Sequence, residues 1–182
     1  MPLLKNHYTS EDYWNLPEGE RAELIDGKFY DMAPPSRIHQ RLVFTISRII
    51  GNYIADHHGS CEVYPAPFAV NLDADDKDWV EPDVSIICDP NKLTDRGCSG
   101  APDLIFEIVS PSSRKLDYGI KNGIYSQSGV REYWIVDPAK ERVTVYHYED
   151  DAAPAIYSFE QDIPVGVYPG LTIKINDLLE NY

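Results

Sequence analysis

The sequence predicts an α/β fold in which a mixed central sheet carries helices on both faces. Three observations predict it. The apolar runs within EPDVSII (81–87) and PDLIFEIV (102–109) have the Val, Ile, Leu and Phe content of strands buried on both sides. Ile38, Leu42, Ile46, Ile49, Ile50 and Tyr53 recur at helical spacing, and so do Leu116, Ile120 and Ile124. Strand and helix signals that alternate along one chain call for a sheet covered by helices.

The elements follow in order. Thr9 or Ser10 before Glu11 and Asp12 reads as a helix N-terminus, giving a short helix to about Leu16. AELIDGKFYDMA is a hairpin, because Asp26-Gly27 suits a turn that needs positive φ. Glu23, in its first strand, reads as a solvent-facing residue. Pro34-Pro35-Ser36 stops the sheet and caps a helix to about His57, with Gly59 as its stop. His39 in the first turn reads as a capping or packing residue, and His57-His58 complement the negative helix end.

CEVYPAPFAVNL is a strand whose two prolines place it at an edge or a bulge. DADDKD is a solvated turn, without the Gly and terminal Glu of a calcium loop. The two central strands are separated by a loop holding Lys92 to Gly100. Ser112 or Ser113 then caps a helix to about Gln127, stopped by Gly129. GVREYWIVDP and ERVTVYHY form two strands about an Asp-Pro turn, and AIYSFE pairs onward. VGVYPGLTIKINDLLENY gives a strand and a short terminal helix. With no repeat, linker or low-complexity tract, residues 1–182 read as a single domain.

Composition narrows the function classes. No apolar run reaches the roughly 20 residues of a membrane span, and the N-terminus lacks a signal peptide's apolar core. Cys61, Cys88 and Cys98 are odd in number and have no CxxC spacing, which argues against disulfides or zinc and fits a reducing cytoplasm. The net charge of −14 opposes nonspecific adhesion to DNA. The charge is uneven, however. Residues 32–55 hold three arginines and no acid, and residues 110–142 hold six basic against four acidic side chains. A nucleic-acid role needs one basic face on an acidic body.

The chemistry lies in the middle of the chain. Asp83 and Glu107 sit in apolar strands, where an unpaired carboxylate costs several kcal/mol. If those strands are neighbours, about 4.8 Å apart, both acids can meet one hard divalent cation. Leu116, Ile120 and Ile124 form a stripe expected to face the sheet. Asp117, Lys121 and Tyr125 form the adjoining stripe, so Lys121 is expected along the helix–sheet boundary, near the acids. The alternative for Lys121 is a simple i,i+4 ion pair with Asp117.

Taken together, ELIDG, Met32-Ala33-Pro34-Pro35-Ser36, His39-Gln40, Pro82-Asp83, PDLIFEIVSPS, the D-x-x-x-K-x-x-x-Y helix and GVREYWIVDP resemble the Uma family of restriction-endonuclease-like proteins, within the PD-(D/E)XK nuclease superfamily. The resemblance covers nearly the whole chain. Pro82-Asp83, 24 residues before Glu107, matches the motif better than Pro102-Asp103, which is only four residues away on the same strand. One departure stands out: where the motif expects lysine, Val109 follows Ile108. In this superfamily the lysine can migrate to a neighbouring helix, which makes Lys121 its replacement.

The resemblance implies a restriction-endonuclease-like fold and Mg²⁺-dependent hydrolysis of DNA, with Mn²⁺ as a substitute ion. Asp83 and Glu107 would hold metal and Lys121 would assist the attacking water or the phosphate. Glu23 would be a further acid, and His39 and Gln40 would line the site. Superfamily members often dimerise, so a homodimer is one expected assembly, in the cytoplasm to which the cysteines point. Two other readings stay open: a catalytically silent member that binds nucleic acid or protein, and a metal-dependent phosphoesterase on a small substrate.

Overall fold

The computed structural model describes residues 7–150 and 152–180. The first elements are α1 (Ser10–Trp14), the hairpin β1 (Ala22–Ile25) and β2 (Lys28–Asp31), and the long helix α2 (Arg37–Asp56). Thr9 closes a capping box with Asp12 on α1, and Ser36 accepts from His39 N on α2. Asp26 and Gly27 have φ of 47° and 68°, as the hairpin signal requires. At the far end of α2 the left-handed position belongs to His58 (φ 53°), not Gly59. His58 N and Gly59 N donate to Ala55 O and Ile54 O, which satisfies the last carbonyls.

The main sheet contains β3 (Glu62–Pro65), β6 (Val84–Ile87), β9 (Leu104–Ile108), β10 (Glu132–Asp137), β11 (Arg142–His147) and β12 (Ala155–Ser158). Its order is β12-β11-β10-β9-β6-β3, mixed because β9 and β10 run parallel and the other pairs antiparallel. The two apolar runs are thus inner strands, and every residue of β6 and β9 is buried. On one face, Leu42, Ile46 and Ile50 of α2 pack against Ile86, Phe106 and Trp134. The hairpin β13 (Ile163–Pro164) and β14 (Thr172–Ile173), with helix α4 (Ile175–Glu180), completes that layer.

The opposite face carries a helix and something the sequence did not predict. A second six-stranded sheet, β2-β1-β5-β4-β8-β7, is built from the first hairpin and four short strands: β4 (Val70–Asn71), β5 (Trp79–Val80), β7 (Leu93–Thr94) and β8 (Gly97–Ser99). The expected single strand CEVYPAPFAVNL is therefore two. β3 forms the edge of the main sheet, and the chain then crosses through Pro65–Pro67 into β4. The expected loop from Lys92 to Gly100 pairs as β7 and β8. Strands of two or three residues leave no periodic signal, so only tertiary pairing reveals them.

The reading of the cysteines needs correction. Cys61 and Cys88 form a disulfide, and Cys98 is the free, buried thiol. The pairing Glu62↔Ile87, extended by one residue, puts Cys61 directly opposite Cys88. Parity and spacing along the chain cannot show a cross-strand neighbour. None of the described helices is long and apolar enough to cross a membrane.

The second sheet depends on a close backbone approach at Gly97, whose φ is 129°. A Cβ there would stand 2.0 Å from Ala69 O. Gly97→Ala is therefore expected to destabilise the fold by at least about 2 kcal/mol, from strain plus overlap. Urea unfolding followed by tryptophan fluorescence would measure it, with an unchanged midpoint as the contrary result.

Candidate active site

The site forms where β6, β9, β1 and the helix after β9 converge. In the antiparallel register Val84 pairs with Phe106, so the next positions set Asp83 opposite Glu107. Alternation along β9 sends Phe106 and Ile108 to the α2 face and Ile105, Glu107 and Val109 to the other. Asp83 Oδ2 accepts from Ile108 N at 2.7 Å and lies 3.1 Å from His39 Nε2. The backbone of the strand that carries Glu107 thus holds Asp83 in place.

Glu23 is buried, contrary to the solvent-facing expectation. Both faces of β1 are covered: Leu24 packs with Tyr13 and Trp79, while Ile25 joins the layer against the main sheet. Glu23 shares the face of Ile25, and its Oε1 accepts from Glu81 N at 2.8 Å. A hairpin strand looks half-exposed in sequence, and only the packing of the second sheet buries this one.

The helix differs from expectation in a way that makes the site. Leu116–Lys121 is a π-helix, continued by α3 (Asn122–Ser128) and closed at Gly129 with φ 94°. Its polar stripe faces inward: Asp117, Lys121 and Tyr125 are 1%, 4% and 0% exposed, whereas Ile120 is 42% exposed. In a regular α-helix, residues four apart drift round by about 40°. The wider π turn, with its i→i+5 bonds, offsets them in the opposite sense, and here Asp117 and Lys121 both face inward. Asp137 on β10 anchors the start of the helix, accepting from both terminal nitrogens of Arg114 and, at 3.4 Å, from Tyr118. Tyr133 adds a hydrogen bond to the carbonyl of Asp117.

Lys121 consequently sits inside the cluster. Its Nζ lies 2.8 Å from Glu107 Oε1, 2.9 Å from Glu23 Oε1 and 3.8 Å from Asp117 Oδ1. The anticipated i,i+4 pair with Asp117 is the longest of the three contacts. Tyr125 donates to Glu107 Oε1 at 2.8 Å. Gln40 is exposed on α2 and makes none of the cluster's hydrogen bonds. Pro102-Asp103 lies at the far end of β9, where Asp103 receives Cys88 N and pairs with Arg131.

Electrostatics follow from burial. Burial pushes the Glu107 carboxyl well above the ordinary range, with Asp83, Asp117 and Glu23 adding to the rise and Lys121 opposing it. Burial disfavours the Lys121 ammonium too, but Glu107, Glu23 and Asp117 outweigh it and hold its pKa well above that of an ordinary lysine. Asp117 is pushed up to about 6 by burial, against the pull of Lys121 and the Ser113 hydroxyl. The Tyr125 phenol is raised by burial and then by Glu107, so it remains a donor.

The donor set fits a hard divalent cation. Asp83 and Glu107 each use one oxygen in the contacts above, leaving Oδ1 and Oε2 without a hydrogen bond among the described residues. The described residues gather no group of three His, Cys, Asp or Glu side chains in metal-binding geometry. The protein's share of such a cation's shell would be two carboxylates, a number that Mg²⁺ accepts when water and substrate oxygens complete it.

Comparison with known proteins gives the family and the fold. The family model "Uma2: Putative restriction endonuclease" matches residues 10–176. The chain belongs to the Uma2 family. An uncharacterised protein of Synechocystis sp. is 26% identical over 153 residues, covering 82% of this chain and 79% of its own. A second from the same organism is 30% identical over 135 residues, covering 72% and 75%. A crystal structure from Anabaena variabilis, described as "a putative nuclease belonging to DUF820", superposes with a TM-score of 0.73. It covers 93% of this chain and 96% of that one at 22% identity, and so shares the fold.

Sequence reasoning missed Asp117 and Tyr125 as members of the cluster. Their only signal is the spacing of four from Lys121, which in the sequence reads as an ion pair beside an apolar face. The elevated pKa of Asp117 has a measurable consequence. Its folded value, about 6, lies above the unfolded value of 3.8, so the folded state binds the extra proton. The resulting penalty is full above pH 6 and vanishes below about pH 4. Asp117→Asn is thus expected to stabilise the metal-free protein by about 1–3 kcal/mol at pH 7.5. The gain should shrink toward zero near pH 4, as followed by chemical denaturation at both pH values.

Proposed function

We propose that the chain is a single-domain, Mg²⁺-dependent endonuclease that hydrolyses DNA phosphodiester bonds. The observation that carries this reading is the charge of the cluster: Glu23, Glu107 and Asp117 converge on one lysine, and Asp83 stands opposite Glu107 on the neighbouring strand. So many buried carboxylates around one ammonium leave excess negative charge, which a divalent cation would neutralise. Membership of the Uma2 family and the nuclease-like fold support the same reaction class.

Asp83 and Glu107 would hold the cation through their free oxygens, with Mn²⁺ as a substitute for Mg²⁺. Once bound, such an ion polarises a phosphoryl oxygen and makes its water a better nucleophile. Ile108 N and His39 orient Asp83, and Tyr125 orients Glu107. Lys121 donates hydrogen bonds to the attacking water or to the charge that develops on phosphate. Glu23 keeps that ammonium charged, and Gln40 lines the approach along α2. The water adds to phosphorus as the bond to the leaving sugar oxygen breaks.

One observation favours a second substrate. The net charge of −14 lowers the affinity of a long polyanion far more than that of a small phosphoester. Supercoiled plasmid incubated with Mg²⁺ or Mn²⁺ separates the two. Nicking is expected, with losses of at least about 100-fold in Asp83→Ala, Glu107→Ala and Lys121→Ala, and complete loss in chelator. Turnover of a small phosphodiester without plasmid cleavage would replace DNA by the smaller substrate. Plasmid cleavage that survives Asp83→Ala would reject the site.

A further inference from the structure

Lys121 shares a carboxylate with the cation that the proposed function requires. Its ammonium bridges Glu107 Oε1 and Glu23 Oε1, and the first of these belongs to a proposed metal-holding carboxylate. An ammonium and a divalent cation on one carboxylate repel each other strongly in a site with little water. Lys121 therefore needs somewhere else to go.

The cluster contains one carboxylate with spare capacity. Asp117 is 1% exposed, and neither of its oxygens has a well-formed hydrogen bond among the described residues. The Ser113 hydroxyl is near enough to lower its pKa. An unsatisfied buried carboxylate is costly and rare unless it serves another state. Its Oδ1 lies 3.8 Å from Lys121 Nζ. A movement of about 1 Å would bring the ammonium to hydrogen-bond distance. Tyr133 and the Asp137 anchor meanwhile hold the helix in place.

We propose that Asp117 is a positioning residue that provides Lys121 with a second seat. Lys121 bridges Glu107 and Glu23 when the site is cation-free, and moves from Glu107 to Asp117 when a divalent cation takes Glu107. The ammonium thereby shields the carboxylates at rest and stays beside the cation, not on its ligand, when substrate is engaged. The inference rests on the two-carboxylate cation reading of the site. The sequence feature behind it is the pair Asp117 and Lys121 on a π turn, which puts both seats within reach of one side chain.

Calorimetric titration with Mg²⁺ and Mn²⁺ of the wild type, Asp117→Asn, Lys121→Met and the double variant tests it. Asp117→Asn is expected to weaken binding roughly fivefold to tenfold, because Lys121 then has no second seat and competes for Glu107. Lys121→Met should bind at least as tightly as the wild type, and adding Asp117→Asn to it should change nothing. Should Lys121→Met not fold, Lys121→Gln keeps N–H donors for Glu107 and Glu23 without the charge and fills the same arm. An equal loss from Asp117→Asn in both backgrounds would make Asp117 a cation ligand and overturn the proposal. No loss in the wild-type background, or weaker binding on removal of the lysine charge, would overturn it as well. Failure of every variant and the wild type to bind either ion would overturn the underlying cation reading, a result distinct from the others.

Discussion

The ammonium of Lys121 is held within 3 Å of carboxylates from two different sheets, and the rest of the site depends on that contact. Glu107 comes from the main sheet, Glu23 from the second sheet and Lys121 from the helix between them. Burying any of these charges alone would cost several kcal/mol, so each makes the burial of the others tolerable. The same requirement explains the helix. An α-helix with its apolar stripe inward would leave Glu107 beneath Leu116 and Ile120 without a cation. With the polar stripe inward, Lys121 and Tyr125 stand over Glu107, at the expense of leaving Ile120 partly in solvent.

A buried cluster of this kind is a poor means of gaining stability, because well-packed apolar residues would serve as well or better. Asp137 supports the cluster at a distance, since its pairing with Arg114 and Tyr118 fixes where the lysine-bearing helix begins. Tyr133 fixes the helix from below through the Asp117 carbonyl. The catalytic reading thus draws on β10 as well as β6 and β9, and an inner sheet gives rigid ends from which to hold side chains.

Much of the candidate site was legible in the residues. Asp83 and Glu107 were conspicuous because acids interrupt apolar strands, and the antiparallel register puts them opposite each other. Helical spacing alone leaves Lys121 between the site and an Asp117 ion pair; it is the family resemblance, with its migrated lysine, that points to the site. Glu23 was harder, since nothing in AELIDG says that a second sheet will bury both faces of β1. Asp117 was visible only as an ion-pair partner. That its carboxylate would be buried without a well-formed hydrogen bond is a fact of packing.

By itself the sequence determined the local elements and the chemistry available to them. Capping residues, the Asp26-Gly27 turn, apolar periodicity and misplaced acids are short-range features, written in adjacent or near-adjacent residues. The tertiary structure alone decided what required distant segments to meet. It paired Cys61 with Cys88, assembled strands of two and three residues into a second sheet and turned the polar stripe of the lysine helix inward. Those outcomes depend on the opposing surface each segment finds. Helical periodicity can mark an apolar stripe, but it cannot register that the surface opposite contains a buried carboxylate in need of a cation.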